Sequence, residues 1–260
     1  MFRAMTTGDT NGGAKPVKDI SAAAVWIACA GLWAVLMLIA QIDPTVLEGP
    51  PTRLGRNHEL GLLETLQNVF LLSALMAMIA AQRFADTKQL RAWLVFIALG
   101  TFWLLGEETS WGQHYFSWET GGWFAQVNDQ NETNLHNTPG GWLDQKPRAI
   151  LLLGMILGTI VHPLVKYLRK GRGLFDKPWW LAPTLASLAP VIFSQIGALP
   201  KRIDSLNDSL HFASFSFQQA FGYRASEMEE VFLYVFFITY TVSLAHRLKQ
   251  RKALGITSPA

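Results

Sequence analysis

Cysteine is almost absent from this sequence, which contains only Cys29. A single thiol excludes an intramolecular disulfide and a zinc site built from several cysteines. Charge is scarce as well, since Asp, Glu, Lys and Arg make up 16% of the residues, against about 25% in a typical soluble domain. A phosphate-binding glycine loop, a heptad run and an internal repeat are also missing. These scarcities argue against an ordinary soluble domain.

Apolar residues, in contrast, make up 50% of the chain and are gathered in long blocks. A helix of about 20 apolar residues is long enough to cross the ~30 Å hydrocarbon core of a bilayer. The sequence therefore predicts an all-α fold, a polytopic transmembrane helical bundle of about six spans. The predicted spans are residues 20–41, 62–82, 92–111, 149–168, 179–199 and 228–246.

The segments between these blocks differ in charge. Lys and Arg are concentrated in residues 1–19, after the second and fourth spans, and in residues 247–260. Because basic loops tend to stay in the cytoplasm, we expect both termini to be cytoplasmic. The predicted organisation is a disordered arm at residues 1–19, a transmembrane domain at 20–246 with a structured outer loop at 116–148, and a basic tail at 247–260.

Acidic residues fall mainly on the other side, and three spans bring them to one depth. Counted from the basic ends, Glu64, Glu107, Glu108 and Glu230 all lie roughly one helical turn inside the outer interface. A charged group at membrane depth costs about 2.5–3.5 kcal/mol on insertion scales, so such groups are usually paired or functional. A shared depth on separate helices therefore favours one common site.

Spacing predicts which side chains share a helix face. Glu64 and Gln67 are three residues apart and lie on one face of the second span. Glu107 and His114 are seven apart and share a face if the third helix continues that far. The structural alternative is that the acids only cap helices or form ion pairs, for example Asp204 with Lys201.

Imidazoles and carboxylates together suit a divalent metal, zinc above all, with iron or manganese also accepted. The candidate ligands on the outer side are His136, His211, Asp208, His114 and Glu230. The candidate catalytic residues are Glu107, Glu108 and Glu64, because a carboxylate beside a metal-bound water can act as a general base.

Two polar strings carry a resemblance. Residues 106–113 read GEETSWGQ and residues 131–137 read NETNLHN, and both resemble the signatures of a group of uncharacterised bacterial multi-spanning integral membrane proteins. The resemblance covers most of the chain from Glu59 to His211. It implies a multi-pass protein of the bacterial cytoplasmic (inner) membrane and implies no activity. The doublet at 107–108 is also similar to the Glu-Glu-x-x-x-Arg motif of membrane-embedded CAAX-type proteases, but Gly112 stands at the arginine position.

Three functions are compatible with these observations. The first is a metal-dependent hydrolase or lipid-modifying enzyme that acts at the outer leaflet. The second is a transporter or a proton- or cation-coupled membrane protein, although the inner halves of the spans are mostly apolar. The third is a membrane scaffold or assembly factor whose polar cluster is structural. Membrane lipids are the expected partners, nucleic acid is not expected, and no protein partner is predicted.

Overall fold

The computed structural model describes residues 17–49, 61–128, 130–135, 137–138, 142–170, 173–174, 182–210 and 216–256, and only the backbone of residues 142–148. These residues lie in helices, turns and connecting segments, and none of them lies in a β-strand. The predicted all-α fold is confirmed to that extent.

The described chain contains long helices and short ones. In chain order they are α1 (Ala22–Ile42), α2 (Thr45–Glu48), α3 (Leu62–Ala81), α4 (Lys88–Glu108), α5 (Gln113–Phe116), α6 (Phe124–Val127), α7 (Trp142–Ile156), α8 (His162–Leu168), α9 (Leu188–Leu210), α10 (Phe217–Phe221) and α11 (Ala225–Ala253). A π-helical turn, Leu157–Val161, joins α7 to α8, and a 3-10 turn, Ser110–Gly112, separates α4 from α5.

Five helical segments within the described residues are long and apolar enough to cross a membrane. They are Ala22–Ile42, Leu62–Phe84, Lys88–Glu108, Ala149–Leu168 and Ala225–Ala253. Each of them overlaps a predicted span, and the prediction of 149–168 matches its bounds. A polytopic helical membrane protein is therefore supported.

The predicted fifth span, residues 179–199, has no counterpart among those five segments. Residues 179–181 lie outside the described residues, and the helix that follows runs from Leu188 to Leu210. That helix, α9, includes Lys201, Arg202, Asp204 and Asp208, which make its second half polar. The helix continues past the apolar stretch, so it ends later than the span that hydropathy predicts.

Capping residues explain where two of the spans begin. The hydroxyl of Ser21 accepts a hydrogen bond from the backbone N–H of Ala24 at 3.3 Å, at the start of α1. The hydroxyl of Thr87 accepts one from Leu90 at 3.2 Å, at the start of α4. Such caps satisfy N–H groups that have no partner inside the helix.

The last helix, α11, is the centre of the bundle. One core cluster joins its residues Leu233 and Leu244 to α3, α4 and α7, and a second joins Val231 and Phe232 to α1, α3 and α9. A Cβ atom on Gly197 of α9 would lie 3.1 Å from α11 backbone atoms, so these two helices are in close contact. Small residues permit such close approach between membrane helices.

The beginning and the end of the described chain meet at one end of the bundle, here called the basic end. The backbone N–H of Lys18 donates to the side chain of Gln250 at 2.9 Å, and the ammonium of Lys252 donates to the carbonyl of Arg83 at 3.0 Å. Ser243 also donates to Asp19 at 2.7 Å. Helix α11 thus continues past its predicted end at residue 246, and its last turns hold the residues before α1 in place.

Candidate functional site

A cavity of about 650 Å³ lies at the opposite end of the bundle, here called the polar end. The start of α3, the end of α4, α7 and the first half of α11 contribute to its walls. Six carboxylates line this polar cavity: Glu64, Glu107, Glu108, Glu132, Glu227 and Glu230. His114, Tyr234, Lys201 and Arg224 line it as well. Acids from α3, α4 and α11 are therefore brought to one site.

Both carboxylate oxygens of Glu107 are engaged by neighbouring groups. The indole N–H of Trp111 donates to one at 3.0 Å, and the backbone N–H of Leu135 donates to the other at 2.7 Å. The side chain is only 2% exposed. The ring of Trp111 lies against Gly106, where an added Cβ would approach it to 2.8 Å. Glu107 therefore fixes the loop around residue 135 to the end of α4.

The backbone after α4 has an uncommon conformation. Ser110, Trp111 and Gly112 follow one another with φ angles of 47°, 57° and 102°. Left-handed conformations cost roughly 1–2 kcal/mol for a residue other than glycine. Such strain persists only where surrounding contacts determine the backbone, as they commonly do at functional sites. This turn interrupts the helix before His114, which lines the cavity.

A buried polar network surrounds this turn. The hydroxyl of Ser110 lies 2.8 Å from Nε2 of His114 and donates to Glu132 at 2.9 Å. Asn134 donates to the same hydroxyl at 2.8 Å, and Nε2 of His114 lies 3.4 Å from Glu132. Serine and glutamate thus contact the same ring nitrogen, whereas a Ser-His-acid triad needs them on opposite nitrogens. Ser110 does not line the cavity, but His114 and Glu132 do.

On α11, Tyr234 and Glu230 face the polar cavity one turn apart. The hydroxyl of Tyr234 donates to the carboxylate of Glu108 at 2.6 Å, which links α11 to the end of α4. Glu230 is 5% exposed and lines the same wall. Glu108 is a residue of α4, and Glu230 and Tyr234 are residues of α11. The distances between these side chains are therefore set by two rigid helices and not by a loop.

A second group of charged residues lines the side of the cavity near α3. Arg224 lies 3.4 Å from Glu64 and 2.9 Å from Glu227. Gln67, three residues after Glu64, donates to Glu227 at 3.1 Å. Arg224 is 40% exposed, so its pair with Glu64 is a weak stabilising contact. These residues supply fixed charge beside the cavity.

The structure thus gathers five of the eight predicted site residues around the polar cavity: Glu64, Glu107, Glu108, His114 and Glu230. Asp208 does not join them, because it is exposed on the second half of α9 and does not line the cavity. His136 and His211 lie outside the described residues. The condition under which Glu107 and His114 would share a helix face is not met, since α4 ends at Glu108 and a 3-10 turn follows before α5.

Asp204 has the structural role that the sequence analysis gave as the alternative, since it caps a helix. Its two oxygens accept hydrogen bonds from the backbone N–H groups of Phe217 and Gln218, at 2.6 and 3.0 Å, and from the hydroxyl of Ser216 at 2.9 Å. These donors, the N–H of Gln218 first among them, hold the pKa of Asp204 below its ordinary value. Asp204 therefore caps α10 from α9 and is not part of the polar cavity.

No three His, Cys, Asp or Glu side chains within the described part of the chain are arranged to hold a metal ion. The donor types at the cavity, an imidazole and several carboxylates, do suit zinc. Two of the predicted ligands, His136 and His211, lie beyond the described residues, so the predicted metal stays a prediction.

Sequence reasoning missed the roles of Ser110 and Asn134. Both are fully buried; Ser110 contacts His114 and Glu132, and Asn134 donates to Ser110. The available signal was the polar content of residues 106–113 and 131–137, two strings that the structure places in contact. Their pairing was not predicted, because no helical or strand periodicity connects them.

A comparison with protein-family models finds no match, and comparisons with curated proteins and with solved structures find none either. Function therefore has to be inferred from the geometry of the polar cavity itself.

Proposed function

We propose that this protein is a membrane-embedded enzyme, a hydrolase or a lipid-modifying enzyme, that performs acid–base chemistry in the polar cavity. The observation that carries this proposal is the convergence of acids from α3, α4 and α11 with the His114–Glu132 pair around one cavity of about 650 Å³. Ionisable groups at membrane depth are costly and are usually functional when they converge. Acids that served only as ion-pair partners would not need to surround an open space.

Glu108 and Glu230 are the acid–base residues that the geometry favours. Both line the cavity from rigid helices, and Tyr234 orients Glu108 through its hydroxyl. The cavity thus offers more than one carboxylate for the acid and the base roles of such a reaction. The pair of His114 with Glu132 supplies a further proton carrier on the loop side.

Glu107 and Glu64 have supporting parts in this proposal. Glu107 is a positioning residue, because both of its oxygens hold structural donors. Glu64 holds Arg224 beside the cavity and leaves that guanidinium partly neutralised. His114, together with His136 or His211, would hold a zinc ion, which would supply Lewis-acid activation of water. The acid–base roles proposed here do not depend on it.

We infer that the polar end faces the outside of a bacterial cytoplasmic membrane and that both termini are cytoplasmic. Support comes from the contacts between Lys18 and Gln250 and between Arg83 and Lys252, which group basic segments at the other end. Basic segments remain on the cytoplasmic side of bacterial membranes. On this orientation the cavity takes its substrate at the outer leaflet.

A transporter receives less support. A relay across the bilayer needs polar groups through its whole depth. The cavity that continues from the polar one toward the basic end is lined mostly by apolar side chains. The six acids that line the polar cavity thus lie at one end of the bundle, as expected for a reaction at one membrane surface.

The test is a lipid-conversion assay. The purified protein is reconstituted in vesicles of phosphatidylethanolamine, phosphatidylglycerol and cardiolipin with added single-chain lipids, and the lipids are followed by mass spectrometry. We expect wild type to convert at least one lipid class, and Glu108→Gln and Glu230→Gln to be folded but slower by roughly 10²–10⁴, the range for loss of a general acid or base.

Glu229→Gln is the matched control, because Glu229 is adjacent on α11 but pairs with Arg202 and does not line the cavity. A parallel arm treated with a chelator separates metal-dependent from metal-independent chemistry. Unchanged lipids with folded wild type would argue against the enzyme. Lower protein abundance of Glu108→Gln, with no lipid conversion by wild type, would favour the scaffold instead.

A further inference from the structure

A second cavity of about 570 Å³, here called the apolar chamber, continues from the polar cavity toward the basic end. The side chains that line both are Ile97, Ile150, Leu151 and Phe237. Further toward the basic end, Trp93 of α4 and Tyr240 of α11 line the chamber, and the indole N–H of Trp93 donates to the hydroxyl of Tyr240 at 2.8 Å. The two cavities therefore form one groove that leads from the carboxylates to this hydrogen-bonded pair.

Residues without long side chains make room for the chamber on its α7 side. An added Cβ at Gly154 would meet nothing within 4 Å. Gly158 lies in the π-helical turn, Leu157–Val161, and packs so closely on Pro183 that an added Cβ would approach the proline ring to 2.8 Å. Both glycines and Pro183 line the chamber. Because π-helical turns are rare and occur frequently at functional sites, this turn favours a chamber that binds a ligand.

The groove is open near the polar cavity and enclosed further down. Phe96 is 65% exposed and Ile150 is 69% exposed, and both lie at the wall of the polar cavity on membrane-spanning segments. The surroundings of these residues in a bilayer are lipid chains. Met155, Phe236 and Tyr240, which line the chamber, are buried. A hydrocarbon chain therefore enters laterally near the polar cavity, and its end is surrounded by protein.

The depth of the groove matches one leaflet of the bilayer. Along α11, Tyr240 follows Glu230 of the polar cavity by ten residues, which at 1.5 Å per residue is roughly 15 Å. Along α4, the stretch from Glu107 to Trp93 is roughly 21 Å. One leaflet contributes about 15 Å, half of the ~30 Å hydrocarbon core. A chain that starts at the carboxylates and extends through one leaflet thus ends at Trp93 and Tyr240.

This groove distinguishes lipids by chain length and not by apolar contact. A hydrocarbon chain gains little by leaving the bilayer, because lipid tails are as apolar as the groove wall. A chain that is too long for the chamber must displace Trp93 and Tyr240 or hold its head above the polar cavity, and overpacking of an enclosed apolar space is unfavourable. The enclosed end therefore sets how far the head lies from Glu108 and Glu230.

We propose that the apolar chamber binds one hydrocarbon chain of a membrane lipid and selects it by length, with the Trp93–Tyr240 pair as the end stop and the head in the polar cavity. This assignment rests on the proposed function, since it names the substrate class of the same site. A chain of leaflet length places the bonds next to the head beside Glu108 and Glu230, whereas a longer chain lifts them away from these acids. Trp93 and Tyr240 thus determine specificity without touching the reacting atoms.

The test uses photoreactive lipids in phosphatidylcholine nanodiscs that contain the whole protein. Phosphatidylglycerol and phosphatidylethanolamine probes, at low mole fraction, carry one chain of 12, 16 or 20 carbons with a diazirine at its methyl end. Labelling of the peptide with Tyr240 is divided by labelling of the α1 peptide with Val35, which is exposed on a membrane-spanning helix and reports bulk lipid. We expect this ratio to be about tenfold higher for 16 carbons than for 12 or 20 in at least one head-group series, since a short chain does not reach the end stop and a long one overpacks it.

Substitutions of Trp93 test the end stop itself. Trp93→Ala removes the ring and lengthens the chamber, so the 20-carbon probe should then label as strongly as the 16-carbon probe. Trp93→Phe retains an aromatic ring and removes the N–H that bonds to Tyr240, so it should keep the wild-type preference. An unchanged preference for 16 carbons in folded Trp93→Ala would overturn the selection by length.

Two glycines provide matched variants for occupancy of the chamber. Gly154 lines the chamber and Gly31 lines neither cavity, and an added Cβ meets nothing within 4 Å at either position. Gly154→Phe should abolish the preference for 16 carbons, and Gly31→Phe should leave it unchanged. Leu151→Trp, at the junction of the two cavities, replaces Gly154→Phe if that variant does not fold.

Equal ratios for the three chain lengths in both head-group series would overturn the inference and assign the chamber to bulk bilayer lipid only. A preference that persists in folded Gly154→Phe would overturn it as well. Because crosslinking needs no turnover, the outcomes separate the two proposals. Length-selective labelling without lipid conversion retains the binding site and removes the enzyme, whereas conversion without length-selective labelling removes this inference alone.

Discussion

At the scale of single residues, Glu107 and Glu108 are adjacent in sequence but have different surroundings. Glu107 is 2% exposed and accepts from Trp111 and from the backbone of Leu135. Glu108 contacts α11 instead, where its carboxylate accepts from the hydroxyl of Tyr234. A carboxylate that satisfies two buried donors mainly stabilises the fold, while one that faces the cavity beside a phenol is placed for proton transfer.

Glu107→Gln should destabilise the protein. Either the indole N–H of Trp111 or the backbone N–H of Leu135 would then face the amide N–H of glutamine in place of an oxygen. Loss of a buried charge-assisted hydrogen bond costs roughly 1–3 kcal/mol. We expect a lower thermal unfolding midpoint in detergent and faster proteolysis of the loop after α5. Glu119→Gln is the control, since Glu119 is exposed in the same loop. Equal midpoints for the two variants would contradict the structural role of Glu107.

The residues that follow α4 also show how a local conformation is maintained. Ser110 and Trp111 adopt positive φ angles that favour glycine, and only Gly112 among the three is suited to it. Contacts to Glu132, Asn134 and Glu107 compensate for this strain. The conformation of the turn therefore depends on a loop more than 20 residues away in sequence.

At the scale of secondary-structure elements, α10 depends on a residue of another helix. Asp204 of α9 accepts from the N–H groups of Phe217 and Gln218 in the first turn of α10. The hydroxyl of Ser216 caps the same helix by accepting from Gln219 at 3.3 Å. A helix of five residues is too short to be stable alone, so these contacts determine whether it forms.

Protection of α10 should depend on pH in a defined direction. Because the folded pKa of Asp204 lies below its ordinary value of 3.8, its contribution is complete above pH 3.8 and is lost as pH falls through the folded pKa. Hydrogen exchange at Phe217 and Gln218 should be faster in Asp204→Asn than in wild type at pH 5, and the difference should shrink below pH 3.8. Asp208→Asn, at an exposed position of the same helix, should match wild type throughout.

At the scale of the whole molecule, α11 organises both ends of the bundle. Its first turns carry Glu227 and Glu230 to the polar cavity, and its last turns bind Lys18 and Arg83 through Gln250 and Lys252. Apolar side chains on two sides of the helix pack into separate core clusters. A change in the tilt of α11 would therefore move side chains at both ends of the bundle.

The proposed orientation predicts a labelling pattern in whole cells. In a Cys29→Ser background, Glu119→Cys should react with a membrane-impermeant maleimide added from outside, because Glu119 is exposed at the polar end. Lys249→Cys, exposed on the last turns of α11, should react only after the membrane is made permeable. The reverse pattern would place the polar cavity on the cytoplasmic side and contradict action at the outer leaflet.

The sequence by itself determined the helical class, the membrane-spanning blocks and the shared depth of Glu64, Glu107, Glu108 and Glu230. These properties follow from local hydropathy and from counting residues along a helix of known rise. For the predicted span 179–199 the described residues show a partly polar helix, Leu188–Leu210, that extends beyond the apolar stretch.

Only the tertiary structure decided which acids line the polar cavity and which neighbours each of them contacts. The engagement of Glu107, the exclusion of Asp208 from the cavity and the contact of Ser110 with Asn134 all depend on segments distant in sequence. The two cavities lined by α4, α7 and α11 also arise from how these helices pack, and hydropathy does not encode that packing. The depth of a residue in the membrane follows from its position along its own helix. Which side chains meet in one site depends instead on how the helices are rotated and spaced, and side-chain packing sets both.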